Sequence, residues 1–508
     1  MRAVGRATVD DAGLARWVEP WDGLVHEAVD GDVLDGHVLD GTAFVAASGP
    51  FRSYRRTVEV APTADGRHEV TSTAEFRLAI PYFNWLLALP VRNALRKPGA
   101  ALPWWGPADR LDARASNALG VLCFASVVAG YLGTSITQTI TFASDDFGLH
   151  GDRPQTVALA VTRLAVFLSI GLVTLADHRG RRKLLLLSAV GACLFAATTA
   201  LAPSLPWFTA SQTVARGFST ALAVLIAVVA AEEMPAGARA WGVSVLGMSA
   251  ALGAGLCVLA LPLADVNEGG WRLLFLVPLL ALPLLRDLAR RLPESQRFTA
   301  AHAVARIAGH GSRLALLAAS AFLLQVFTAP ASQLQNEFLR DERSYTAFGI
   351  SLFTICTSTP AGIGVVAGGK LADLHGRRIV GAIGVIGGVG GTVLMFLTHG
   401  PAMWAWSLGA SIIGGASLPA LGVYGPELFP TGVRAKANGV LVVAGVLGSS
   451  AGLLAAGALS DSLGSLGRAL AVLAIGPALL AVLVVARYPE TARLELEDLN
   501  PEDRPTAM

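Results

Sequence analysis

From about residue 116 onward the sequence alternates runs of some 20 apolar residues with short polar loops, and few folds accommodate that pattern. At about 1.5 Å of rise per residue, such a run is long enough as a helix to cross about 30 Å of hydrocarbon. Twelve runs are expected, near 117–142, 155–176, 184–203, 207–231, 240–264, 271–286, 313–335, 346–369, 379–398, 402–424, 437–459 and 468–487. The sixth is interrupted by Pro278 and Pro283. Composition agrees with a membrane protein: 53% of the 508 residues are apolar and 15% charged, with a mean hydropathy of +0.55.

The few charges are unevenly placed. One set of loops holds Arg179, Arg181, Arg182 and Lys183, then Arg286, Arg290, Arg291, Arg297, Arg306 and Arg313, then Arg377 and Arg378, then Arg434 and Lys436. The alternate set holds little beyond Arg153, Arg340, Arg343 and Arg468. Basic residues accumulate on the cytoplasmic side, so the expectation is a multi-pass protein of the cytoplasmic membrane with both termini inside. The net charge of +2 gives no reason to expect a nucleic-acid partner. Cys123, Cys193, Cys257 and Cys356 lie in apolar runs without metal spacing, so they read as packing residues, and no metal or cofactor is expected. The N-terminus has no cleavable secretory pattern.

The chain also repeats itself. "VTLADHRGRR" (173–182) returns as "GKLADLHGRR" (369–378), 196 residues later. Asp145 and Asp146 return as Asp341 and Glu342, "EEMPAGARA" (232–240) as "ELFPTGVRA" (427–435), and "LPESQRF" (292–298) as "YPETARL" (488–494), all at offsets of 195 or 196. Four anchors in one order predict two pseudo-symmetric six-helix halves, 116–286 and 313–487, joined by a basic linker at 287–312 and followed by a tail at 488–508.

Residues 1–112 differ in kind. "TAFVAA", "YRRTVEVAP" and "HEVTSTAEFRLAI" read as strands, with Asp65-Gly66 as a hairpin turn. A small β-rich cytoplasmic domain of α+β type is expected. "PYFNWLLALPVRNALRK" (81–97) is too short to span; it suits an interfacial helix on the inner leaflet or the closing helix of the domain. The fold class is thus an all-α polytopic membrane protein of twelve helices, preceded by this domain.

The paired G-x-L-A-D-x-x-G-R-R phrases resemble the loop motif of the major facilitator superfamily of secondary transporters. The second copy matches well; the first has Val173 for the leading glycine and His178 where arginine is usual. "PES" at 293–295 and "PET" at 489–491 resemble the sugar-porter and metabolite-symporter branches. The resemblance covers about residues 116–499 and implies alternating access of a small organic solute without covalent chemistry, hence no enzyme. By strand pattern and closing helix, the N-terminal domain is similar to START-like lipid-binding folds. Two other readings stand beside import: drug or metabolite efflux, against which the fifth helix lacks a G-x-x-x-G-P run, and a sensor or ligand-binding protein acting through residues 1–112.

Candidate residues follow from where charge sits. A carboxylate at the C-terminal end of a helix is disfavoured by the helix dipole and gains by facing another helix's N-terminus. Asp177 would therefore pair with the helix after Arg434, and Asp373 with the helix after Arg239, closing an inner gate. Arg181, Arg182, Arg377 and Arg378 would anchor to lipid phosphate or to Glu232 and Glu427. Within the spans, Arg163 and Arg216 fall at similar depth and read as contacts to an anionic solute or as structural arginines satisfied by backbone carbonyls. Gln138 should reach their layer; Gln325, Trp404 and Tyr424 are further candidates for the substrate cavity. No Asp or Glu is expected inside a span, which leaves Asp145 and Asp146 at the outer mouth as candidates for a coupling proton. Membrane lipids are expected partners, and the protein is expected to act as a monomer.

Overall fold

In the computed structural model the described residues are 1–30, 42–99, 107, 109–149, 152–235, 238–292, 310–429 and 431–491. The N-terminal domain contains β1 (Arg2–Val9), α1 (Asp11–Val18), β2 (His26–Val29), β3 (Thr42–Ser48), β4 (Phe51–Pro62), β5 (His68–Leu78) and α2 (Asn84–Ala94). The strands form one antiparallel sheet in the order β1-β5-β4-β3-β2. Gly66 turns the β4–β5 hairpin at φ +70°, where a side chain would be strained, so Asp65-Gly66 is the expected turn. Alternation along β4 and β5 places Tyr54, Val58, Val70, Ala74 and Phe76 in a core with Trp17, Trp21 and Phe44.

That core also contains charge. Arg56 and Glu27 are fully buried and meet at 2.6 Å. The guanidinium lies between the rings of Trp21 and Phe44 at 3.9 and 4.2 Å, and donates to the carbonyls of Trp17 and Glu19. Glu27 accepts from the Tyr54 hydroxyl at 2.6 Å and from the Trp21 amide at 2.8 Å. So many partners for both ions offset much of the cost of removing them from water. Burial and the neighbouring Glu27 carboxylate push the Tyr54 phenol well above its ordinary range.

The helical part follows, with the first half comprising α3 (Ala113–Asp146), α4 (Asp152–Thr162), α5 (Ala165–Arg179), α6 (Arg181–Thr199), α7 (Leu205–Glu233), α8 (Arg239–Ala260), α9 (Trp271–Leu276) and α10 (Leu282–Arg291). The second half comprises α11 (Gly311–Gln333), α12 (Gln335–Glu337), α13 (Ala347–Ser358), α14 (Ala361–His375), α15 (Arg377–Leu397), α16 (Gly400–Gly415), α17 (Ser417–Gly422), α18 (Tyr424–Glu427), α19 (Thr431–Leu463), α20 (Leu466–Leu473) and α21 (Ile475–Arg487). Among the described residues, ten helices are long and apolar enough to cross a membrane. The sixth and tenth expected spans are broken instead. Pro278 and Pro283 lack the amide that would continue the sixth, and a 3₁₀ turn at Val277–Ala281 joins its pieces. The tenth divides into α16, α17 and α18.

The internal repeat is visible in the backbone. Gly180 and Gly376 have φ of +99° and +97°, open only to glycine, and each separates the second helix of its half from the third. The second span also breaks at the same place in each half, before Ala165 and before Ala361. Pro360 accounts for the second break; the first has no proline, and its turn carries Arg163.

Close helix pairs are built on glycine. A Cβ on Gly253 would stand 1.9 Å from the carbonyl oxygen of Val127, and one on Gly130 would meet that of Ala250 at the same distance, so α3 and α8 pack backbone to backbone. Gly448 and Gly452 do the same for α19 against Phe322 and Val326 of α11. Below, the end of the bundle carrying Gly180 and Gly376 is the motif end, and the opposite end is the far end.

The N-terminal domain attaches at the motif end. Pro81 and Ile80 pack where Gly120 leaves α3 without a side chain, and the Tyr82 ring lies 5.0 Å from that of Phe124. The Tyr82 hydroxyl donates to Asp287 of α10 at 2.9 Å, and beside this contact, within the bundle, Asn117 of α3 donates to the carbonyl of Arg291 at 3.0 Å.

Candidate substrate site and gates

Arg163 sits in the turn between α4 and α5. Its amide donates to Ala160 and that of Leu164 to Val161, three residues back, so the helix tightens there. The Arg163 Nε is fully buried with no hydrogen-bond partner. Arg216 lies on α7, half-buried, next to Gly217, where a Cβ would stand 2.6 Å from Leu168 of α5, so the two arginines sit on helices in direct contact. Among the described residues neither side chain forms an ion pair or hydrogen bond with a protein group. Two like charges in a low-dielectric interior, without a protein counter-charge, form a locus of positive potential that an anion would relieve.

The other expected cavity groups are not gathered around this pair. Gln138 is buried on the seam between the halves, where its Oε1 accepts from Asn336 Nδ2 at 2.9 Å. Gln325 accepts from Thr328 at 2.6 Å, one turn along its own helix. Trp404 donates to the Tyr345 hydroxyl at 3.0 Å and packs edge-on against Phe353, inside the second half. Tyr424 is fully buried, donates to the Pro489 carbonyl at 3.0 Å and packs against Tyr488. Trp404 thus belongs with the start of α13 and Tyr424 with the end of α21, at opposite ends of the second half.

At the motif end, the side chains of Asp177, Glu232, Arg239, Asp373, Glu427 and Arg434 lie outside the described residues. The arginines beside them are described. Arg378 donates to the Val485 carbonyl, and Arg182 to that of Ala289, the same contact displaced by one repeat. Arg377 reaches Thr491 Oγ1 at 2.8 Å, and Arg181 is buried. The Glu490 carboxylate accepts from the Arg377 and Arg378 amides at 2.9 and 3.3 Å, capping α15 with negative charge where helix N–H groups lack partners. The expected anchors for these arginines were lipid phosphate, Glu232 or Glu427. The contacts just given reach each half's last helix and the "PET" phrase, while Glu232 and Glu427 lie outside the described residues.

A group of hydrogen bonds between the halves lies toward the far end. Arg340 binds Asp145 at 2.7 Å, Asn336 bridges to Gln138, the Phe348 amide reaches Asp265, and Ser351 donates to the Val258 carbonyl at 2.6 Å. Thr156 of α4 lies against Gly457 of α19, where a Cβ would stand 2.3 Å from its hydroxyl. Asp146 pairs with Arg272 at 2.5 Å within the first half. Asp145, Asp146, Asp265, Glu268 and Arg340 line a cavity of about 510 Å³ at this mouth.

One acid was missed. The seventh span runs on through α12 and a π turn to Glu342, so Glu337 lies within it and is 1% exposed. "QLQNEFLRDE" looks like a loop when counted by polarity, although Leu334, Phe338 and Leu339 recur at helical spacing and are buried. Among the described residues, no group of three or more His, Cys, Asp or Glu is placed to hold a metal ion.

A family model described as Major Facilitator Superfamily matches residues 122–296 and 314–506. No curated protein matches at a significant level. Among solved structures, the inward-open xylose transporter XylE from E. coli is similar with a TM-score of 0.62 and 17% identity, over 76% of this chain and 98% of that one. The nucleoside transporter NupG gives 0.61 and 12%, over 73% and 100%. A bacterial homolog of the human lysosomal transporter Spinster, inward-facing and unoccupied, gives 0.58 and 16%, over 73% and 94%. At these identities the likeness carries the fold.

Proposed function

The chain belongs to the Major Facilitator Superfamily, and from that premise we propose that it is a secondary transporter moving a small organic anion by alternating access between its two halves. The observation that carries the charge of the solute is the pair Arg163 and Arg216, two cations on helices packed together at Leu168 and Gly217, to which the described residues supply no counter-charge. A carboxylate or phosphate would take both, and the planar guanidinium suits a two-pronged oxygen ligand. The arginine-rich loops put the motif end in the cytoplasm. Seam bonds grouped at the far end then correspond to a state closed outside. Rocking must break the Arg340–Asp145 pair, and the carboxylates of Asp145 and Asp146 stand where a coupling proton would enter.

The test is a thermal-shift screen of purified protein against organic carboxylates, organic phosphates and neutral sugars, repeated on Arg216→Lys and Arg216→Gln. The anion reading expects an anionic hit whose affinity falls in the order wild type, lysine, glutamine. A neutral sugar binding equally well to all three would sink it and favour the sugar-porter likeness of the "PES" and "PET" phrases.

A further inference from the structure

Helix α2 divides its side chains sharply. Leu87, Val91 and Leu95 pack into the core of the β domain. Trp85, Leu86 and Leu89 point away from it at 75%, 55% and 63% exposure, an apolar face with no covering element among the described residues. Continuing along the same exposed side, Arg92, Arg96 and Lys97 are also exposed.

The height of this face relative to the bilayer follows from where the preceding residues dock. α3 has 34 residues, so it is about 51 Å long and exceeds a hydrocarbon layer of about 30 Å by about 20 Å. The last charges before the apolar run, Asp112 and Arg114, and the start of that run near residue 117 put about 5–10 Å of this overhang at the end next to the β domain. Gly120, against which Pro81 packs, lies seven residues into α3, which is also about 10 Å. Tyr82 and Phe83 therefore meet the bundle at the edge of the hydrocarbon, and α2 begins there. Its 11 residues extend only about 16 Å, too little to cross.

We propose that α2 is a membrane-surface helix: Trp85, Leu86 and Leu89 enter the acyl boundary of the leaflet at the motif end, while Arg92, Arg96 and Lys97 meet lipid phosphates. Tryptophan suits that level because its ring is apolar and its N–H is not, and basic side chains reach from an apolar bed to the headgroups. The Tyr82–Asp287 bond and the packing of Ile80 and Pro81 on Gly120 then fix the β domain to the bundle at one point, and the lipid surface holds it along a second.

The test uses the full chain in liposomes of phosphatidylcholine and phosphatidylglycerol, in a Cys356→Ser background that removes the exposed native thiol. A bimane label is placed at Leu89→Cys, with Trp85→Cys as a second reporter on the same face and Arg67→Cys at the β4–β5 tip as the control. Lipids brominated on the upper acyl chain should quench the label at 89 and at 85 by at least about twofold and leave the label at 67 unchanged. Aqueous iodide should give the reverse order. A label at 89 and 85 quenched by iodide and not by bromine would put the face in water and overturn the proposal. Labels shielded from both quenchers would mean that protein, such as a second copy of the chain, covers the face, and would overturn it as well.

Discussion

Arg340 and Asp145, 195 residues apart in sequence and in opposite halves, meet at 2.7 Å across the far-end mouth. Their side chains are 30% and 32% exposed, so water screens the pair and its contribution is about 0.5–1 kcal/mol. Arg340→Ala should shift the balance of closed and open far ends by about two- to fivefold. The readout is the labelling rate of a cysteine placed at Ala264 in the mouth cavity, which should rise. Exchanging the charges, Asp145→Arg with Arg340→Asp, should restore it in part. Unchanged labelling in the single variant would remove the pair from the gate.

Arg163→Gln and Arg216→Gln should move two observables in opposite directions. Removing one of two interior cations relieves repulsion and desolvation, so the solute-free protein should gain about 1–3 kcal/mol of stability. Stabilisation by an anionic solute should decline in the same variants. Melting curves with and without solute measure both quantities. A loss of stability in the solute-free state would mean that the arginines are structural.

Gly376→Ala should destabilise by about 1–3 kcal/mol, because φ of +97° excludes a side chain. Its Cβ would also stand 2.8 Å from Glu490 Oε2 and disturb the cap on α15. Gly180→Ala should behave alike through the backbone term. Gly409→Ala, in open space within α16, is the control: alanine is the better helix former by up to about 1 kcal/mol, so this variant should melt at or slightly above wild type.

The repeat shows why so much of this architecture was legible in advance. A phrase such as "ADLHGRR" encodes a helix end, a glycine-only turn and a new helix start within seven residues, and Gly180 and Gly376 adopt the same backbone angles. What escaped were features set by tertiary context. The break at Arg163 has no local signal, since its counterpart is explained by Pro360 and it has no proline of its own. Glu337 was hidden because a window average treats a polar turn as loop even when its apolar residues continue the helix face. The polar and aromatic residues scattered over α11, α16 and α18 could not be sorted into cavity and packing groups, because Trp404 and Tyr424 find their partners through contacts 59 and 65 residues distant. In the β domain the hairpin was legible, whereas the pairing of Arg56 with Glu27 was not.

Breaking that pair should be costly. Glu27→Gln or Arg56→Leu leaves its partner in a dry core, which costs about 3–5 kcal/mol. Limited proteolysis of the full chain should then cut within residues 42–78 while the helical part stays intact. Wild-type resistance in both variants would contradict a dry, coupled core.

The Tyr82–Asp287 contact should respond to alkali. Burial and then the hydrogen bond to Asp287 raise the Tyr82 phenol from 10.0 to about 12. A raised value means that the docked form keeps its proton where the free phenol loses it, so the contact is at full strength below pH 10 and weakens as pH rises toward 12. Energy transfer between labels on the β domain and on α10 should be flat to about pH 10 and then fall. In Tyr82→Phe this step should vanish.

The glycine contacts of α3 with α8, and of α11 with α19, determine which parts of the bundle can slide. With carbonyl oxygens where side chains would otherwise lie, neither pair has a lubricating layer, so each is a double-thickness plank rather than two independent rods. Motion during transport must then be carried by the looser joints around them, and a bulky residue at Gly253 or Gly452 would split a plank lengthwise without freeing a hinge.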